Sequence, residues 1–164
     1  RGTPLIWQIS FAGAGLVPAL QLNIQPYWIA ILVLGLNLAA YSAEVYRAGI
    51  QSIERGQMEA ARTMGLTYLQ SLQYVIVPQA IRRVIPPLLN EFVILIKDTS
   101  LVSVLGLTLS QSELLGLGRT IYASTFDATA WLGAAAGFLI ITLPMIRVVT
   151  IVEGRMRSGL TSVI

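Results

Sequence analysis

Two long stretches of this chain carry no charge. Between Arg1 and Glu44 there is no Asp, Glu, Lys or Arg, and Ala128 to Ile146 is a second uncharged run. A bilayer core of about 30 Å is crossed by about 20 apolar residues, so both runs are long enough to span one. Only 12% of the 164 residues are charged and 55% are hydrophobic. An ordinary soluble domain has about 25% charged residues, so much of this surface must face something other than water. The expected fold class is all-α, a polytopic transmembrane helical bundle.

The spans follow from these runs. Leu5 to about Leu20 reads as a helix broken by Gly13, Gly15 and Pro18 and ending at a Gly/Pro boundary. Leu22 to Pro26 is a short connector. Tyr27 to about Glu44 is the first complete span, with Tyr27 and Trp28 as an interfacial anchor and Asn37, Tyr41 and Ser42 as its polar residues. Pro86 and Pro87 open the next, roughly Pro87 to Leu107, since proline fits a first helical turn. Thr108 to Asp127 is a connector with one basic residue, Arg119. The last span runs from about Ala128 to Val152, with Trp131 near one end and Pro144 as a kink. Three complete spans are thus expected, with a partial one before them. The opening Arg1-Gly2-Thr3-Pro4 lacks an initiator Met, so at least one earlier span of a longer polypeptide is expected to precede it.

Glu44 to Arg83 is different. It holds Arg47, Arg55, Arg62, Arg82 and Arg83 beside Glu44, Glu54 and Glu59, and it is too long and patterned for a simple connector. Gln57 to Met64 reads as a short helix closed by Gly65, a residue suited to a left-handed C-terminal cap. Thr67 and Gln70 have the spacing of a capping box opening a second short helix, and Pro78 interrupts that pattern. With Arg155 and Arg157 in the tail, the arginine distribution puts this segment and the C-terminus in the cytoplasm. The net charge of +3 is explained by topology rather than by a nucleic-acid partner. No internal repeat is present.

Glu91, Lys97 and Asp98 fall inside the third expected span. Each costs about 2.5–3.5 kcal/mol at the bilayer centre on insertion scales, so they must face protein or water. Glu91 and Asp98 are seven residues apart, on one helical face and about 10 Å apart along the axis. A zwitterionic amino acid needs a cation for its carboxylate and an anion for its ammonium, which Lys97 and Asp98 supply. Glu91 is left for a cationic side chain. Asn37, Tyr41 and Glu44 are weaker candidates for an opposite wall. Asn90 suits a hydrogen bond between helices.

Glu59-Ala60-Ala61, then Gly65, then after ten intervening residues Ile76-Val77-Pro78, resembles the EAA motif of ABC importer permeases. Arg1-Gly2-Thr3-Pro4, Ala43-Glu44-Val45-Tyr46-Arg47 and Leu95-Ile96-Lys97-Asp98-Thr99-Ser100-Leu101 extend the resemblance over essentially the whole chain. They match the polar amino acid subfamily, the histidine/arginine/glutamine type. Val77 stands where the subfamily usually has Leu, a conservative change. The resemblance implies a type I importer permease fold and a single transmembrane domain over 1–164. It makes 44–83 a coupling loop that docks into an ATP-binding subunit through Glu59, Ala60, Ala61, Gly65 and Pro78. Ala60 and Ala61 are small enough for close approach, and Glu59 is expected near a helix N-terminus, where the dipole favours a carboxylate. The subfamily's substrate pocket carries over to Glu91, Lys97, Asp98 and Ser100.

Other chemistry is restricted by what is missing. Without Cys or His there is no disulfide framework, no thiolate or zinc–histidine site and no usual general base, so an enzyme is not expected. No Gly-x-x-x-x-Gly-Lys-Ser/Thr phosphate loop occurs, so ATP and Mg belong to a partner ATPase. The other expected partners are a second permease subunit, with this chain forming a homodimer, and an extracytoplasmic amino acid-binding protein or fused domain. The setting is the bacterial inner membrane. A channel or ion-coupled carrier with an intramembrane charge relay is the competing reading; it has no use for the patterned 44–83 segment.

Overall fold

The computed structural model describes residues 2–161, with side chains through Met156. Arg1 and the side chain of Arg157 lie outside the described residues. All the regular structure described is helical. The α-helices are α1 (Leu5–Ser10), α2 (Val17–Ala19), α3 (Pro26–Gln51), α4 (Arg55–Thr63), α5 (Tyr68–Ser71), α6 (Val77–Asp98), α7 (Leu114–Thr125) and α8 (Thr129–Thr161).

Among the described residues, two helices are long and apolar enough to cross a membrane, Pro26–Gln51 and Thr129–Met156. Only 11% and 6% of their most apolar windows are buried. A helix apolar all round and left uncovered has its place in lipid or against another subunit, not in a soluble core. Two of the three complete spans expected thus fall on α3 and α8; the third falls on α6, which carries Arg82, Arg83, Glu91, Lys97 and Asp98 and is not among the helices apolar enough to cross by composition.

α6 begins earlier than the third expected span. Pro86 and Pro87 lie inside α6 rather than in its first turn. Beyond Asp98 the chain tightens into a 3-10 helix, Thr99–Leu105, closed by left-handed Gly106 at φ 64°. Nor does Pro78 interrupt the preceding helix. A π-helical segment, Leu72–Ile76, joins α5 to α6, and Pro78 is the second residue of α6. The same arrangement occurs earlier, where π-helical Phe11–Leu16 precedes Pro18. A proline ring collides with the carbonyl four residues back. Widening the preceding turn accommodates the ring without ending the helix, so Gly13, Gly15 and Pro18 do not break the first helix as expected.

The chain forms two compact units, Arg1–Ala39 with Phe92–Met145, and Ala40–Glu91 with Ile146–Ile164. In the first, Gly13 has no Cβ to meet the side chain of Leu105, so the 3-10 segment can lie against the N-terminal helix. The expected connector Thr108 to Asp127 contains α7, a 12-residue helix. Glu113 opens it, its carboxylate accepting from the N–H groups of Leu115 at 2.6 Å and Gly116 at 2.7 Å. A Cβ on Gly118 would sit 3.1 Å from the Ala130 carbonyl and from Ala134, and one on Gly137 would sit 3.1 Å from Leu114. These small residues let α7 pack closely on α8.

The second unit is built on Ile53, Ile76 and Ala80, against which Met58, Leu72 and Val75 pack. α3 runs on to Gln51, past its expected end at Glu44. Its final turn is held by Ser52, whose hydroxyl donates to the Gly49 carbonyl at 2.7 Å, and by the Arg83 guanidinium, which donates to the Ser52 carbonyl. A cation at a helix C-terminus complements the dipole. Arg83 is thus anchored to a helix end as well as adding to the arginine count.

Candidate functional site

The segment between α3 and α6 has the two-helix form its residues imply. α4 ends in a Schellman motif, with Leu66 N–H donating to Ala61 at 3.3 Å and Gly65 N–H to Arg62 at 3.0 Å. Gly65 sits at φ 91°, which favours a residue without a Cβ. Thr67 and Gln70 then close both halves of a capping box, at 2.9 and 3.4 Å. A hydrogen bond of 3.3 Å from Gln79 to Gln57 ties α6 to α4.

Within this segment the expected partner-facing residues divide. Glu59, Ala60, Gly65 and Pro78 are exposed, but Ala61 is only 6% exposed. Successive helical residues are about 100° apart, and Ala61 falls on the face of α4 that is covered while Glu59 and Ala60 fall on the open one. Glu59 also lies beyond the first turn of α4, which contains no acid. The expected dipole benefit is therefore absent.

What sequence reasoning missed is a cluster of exposed large apolar residues. Met64 is 86% exposed, Leu69 73%, Tyr74 65% and Tyr68 57%. Isolated exposed apolar residues are ordinary, but several on one small polar segment mark an interaction surface. The signal was present: Met64, Tyr68 and Leu69 flank the turn Gly65–Thr67, where a solvated turn has polar neighbours.

The expected substrate residues are spread along the chain. α6 is unbroken to Asp98, so the seven-residue spacing of Glu91 and Asp98 keeps them on one helical face. Lys97 is exposed and Asp98 half-buried; being adjacent on a helix, they point in different directions. Ser100 lies in the 3-10 segment that follows. Asn37 donates to the Gln8 side chain at 3.3 Å, and Gln8 donates to the Thr3 hydroxyl at 3.0 Å. The asparagine bridging two helices is thus Asn37, while Asn90 is exposed. Glu44 pairs with Arg47 at 3.2 Å within α3, so its carboxylate is already engaged. Tyr41 is half-buried. Among the described residues, no cluster of three acidic, His or Cys groups is placed to hold a metal.

A family model described as the binding-protein-dependent transport system inner membrane component matches residues 1–158. The chain belongs to this family. The permease is 39% identical over 159 residues to the glutamine transport system permease protein GlnP of Escherichia coli (strain K12), covering 96% of this chain and 71% of that one. It is 40% identical over 107 residues to the arginine transport system permease protein ArtQ of Bacillus subtilis (strain 168), covering 65% of this chain and 49% of the relative. A crystal structure of an amino acid ABC transporter with histidines matches with a TM-score of 0.85 at 35% identity, over 94% of this chain and 71% of that chain. The permease is therefore a membrane-embedded subunit of a transport system, with the helical fold of an ABC transporter permease. Its uncovered apolar helices and its patterned 44–83 segment belong together in that setting.

Proposed function

We propose that this permease imports polar amino acids, basic ones among them, by alternating access driven by a separate ATPase subunit. The observation that carries the proposal is the α4–α5 segment: a small, tightly capped pair of helices presenting Met64, Leu69, Tyr68 and Tyr74 outward beside Glu59 and Ala60. Such a surface suits a cleft on a partner. The segment and the C-terminus are cytoplasmic, in line with the arginine bias, and the ATPase binds ATP and Mg there. An extracytoplasmic binding protein delivers the amino acid, and a second copy of this chain completes the pathway in the bacterial inner membrane. The likeness to permeases named for glutamine and arginine supports the substrate class.

Within the pathway, Lys97 takes the substrate carboxylate, Asp98 takes its ammonium, and Glu91 takes a cationic side chain, with Ser100 beside them. Asn37, Tyr41 and Glu44 are peripheral, since Asn37 and Glu44 already have partners. The family and its relatives favour this reading over an ion-coupled carrier. The test is uptake of L-arginine and L-glutamine by vesicles holding the complete complex, with enclosed ATP or with an ion gradient alone. ATP-dependent uptake is expected; uptake driven by the gradient without nucleotide refutes the proposal.

A further inference from the structure

Between Thr99 and Ile146 the chain has only three charged residues, Glu113, Arg119 and Asp127. Asp127 is committed to the start of α8, where its carboxylate accepts from Thr129 N–H at 2.9 Å. Glu113 and Arg119 both line one half-open cavity of about 370 Å³ in the first unit. Its wall comes from the 3-10 segment through Ser103 and from α7 through Thr120, with Ser112 between them. Small-molecule sites occupy about 300–1,000 Å³, so one compact ligand fits. None of the residues assigned above to substrate lines this cavity.

The two charges do not neutralise each other. Among the described residues, Arg119 is exposed and makes no hydrogen bond or ion pair with the protein. Glu113 uses one lone pair on each oxygen for the N-terminal turn of α7, and each carboxylate oxygen keeps a second. Glu113 caps the first turn of α7 and Arg119 lies in the second, and both border the same cavity. A simple anion would be repelled by Glu113 and a simple cation by Arg119, so the pair favours a ligand carrying both charges close together.

We infer that this cavity is a first-contact site for the amino acid as the binding protein releases it, separate from the Lys97–Asp98 region. Arg119 grips the α-carboxylate through its planar fork and Glu113 accepts from the α-ammonium. The inference rests on the amino acid reading above. It also puts the site in the segment that the arginine bias leaves on the external side, where substrate arrives.

The test uses the complete transporter, with ATPase and binding protein, in vesicles taking up L-glutamine and L-arginine. Arg119→Gln is expected to raise KM for both by about tenfold, the loss of a charge-assisted contact, and Arg119→Lys to recover part of that. Glu113→Gln, which keeps an oxygen for the α7 cap, is expected to raise KM as well. Unchanged KM in Arg119→Gln and Glu113→Gln overturns the site while leaving the transport reading intact. So does a result in which Arg119→Gln abolishes stimulation of ATP hydrolysis by the substrate-free binding protein, since the arginine would then be a protein-docking contact. A wild-type complex that takes up neither amino acid overturns the substrate reading and this site with it.

Discussion

Val84 fills the space that a Cβ on Gly49 would need. The two residues join α3 to α6 in the second unit, and Val84 is only 5% exposed. Being β-branched, it has few alternative rotamers. Gly49→Ala therefore overpacks the contact and is expected to lower stability by about 1–3 kcal/mol. At Gly35 an added Cβ would meet nothing within 4 Å, so Gly35→Ala is expected to be neutral or slightly stabilising. Thermal unfolding in detergent, followed by tryptophan fluorescence, separates the two; equal effects refute the contact.

Gly65 closes α4 at φ 91°. Gly65→Ala forces a side chain into a left-handed conformation and is expected to cost about 1–2 kcal/mol, with Gly65→Asn costing less. Limited proteolysis should show faster cleavage between α4 and α5 in the alanine variant. Indistinguishable cleavage of wild type and Gly65→Ala would argue that the turn is not fixed.

Ala60 and Ala61 should respond in opposite ways. Ala61 is buried, so Ala61→Leu is expected to destabilise the segment by about 1–3 kcal/mol. Ala60 is exposed, so Ala60→Leu is expected to leave thermal stability intact while weakening co-purification of the ATPase. Glu59→Lys is expected to behave like Ala60→Leu and to reduce substrate-stimulated ATP hydrolysis. Normal stimulation in Glu59→Lys removes that residue from the interface.

Asp98→Asn is expected to lower uptake of amino acids with a free ammonium by about tenfold or more, because a charged acceptor is lost. Asn37→Ala removes a bond between helices worth about 0.6 kcal/mol and is expected to leave KM near wild type. Unchanged uptake in Asp98→Asn would make the aspartate structural.

Asp127 gives a pH dependence with a definite sign. Thr129, donating first through its backbone N–H and then through its side chain, holds the Asp127 carboxyl below its usual value of 3.8. Its contribution to the start of α8 is therefore complete above that value and is lost as pH falls through the lower folded one. Titration between pH 7 and 5 is expected to leave amide protection at the start of α8 unchanged, with fraying in more acidic solution. In Asp127→Ala the fraying should be present at every pH. Fraying of the wild type already at pH 5 contradicts the assignment.

Some features were legible because their causes are local. The cap at Gly65 and the Thr67–Gln70 box were readable because each depends on a few neighbouring residues whose side chains or backbone freedom settle the turn. The apolar spans at α3 and α8 were readable because hydrocarbon solvation depends on composition alone. By contrast, Pro78 and Pro18 looked like breaks. Whether a proline ends a helix depends on whether the preceding turn can widen, and packing decides that. α7 was missed because Gly116 and Gly118 weaken helix propensity, and what stabilises α7 is contact with Ala130, Ala134 and Gly137 of α8, remote from its own sequence window.

By itself, then, the sequence determined the membrane setting, the apolar helices α3 and α8 and the family-bearing Glu59–Pro78 segment, because charge depletion and short-range capping are written into consecutive residues. Tertiary structure alone decided which of Ala60 and Ala61 faces outward, that Asn37 and Glu44 are already engaged, and that Glu113 and Arg119 share a cavity. Those facts depend on which helix face meets which neighbour, a question of long-range packing that periodicity narrows but does not answer.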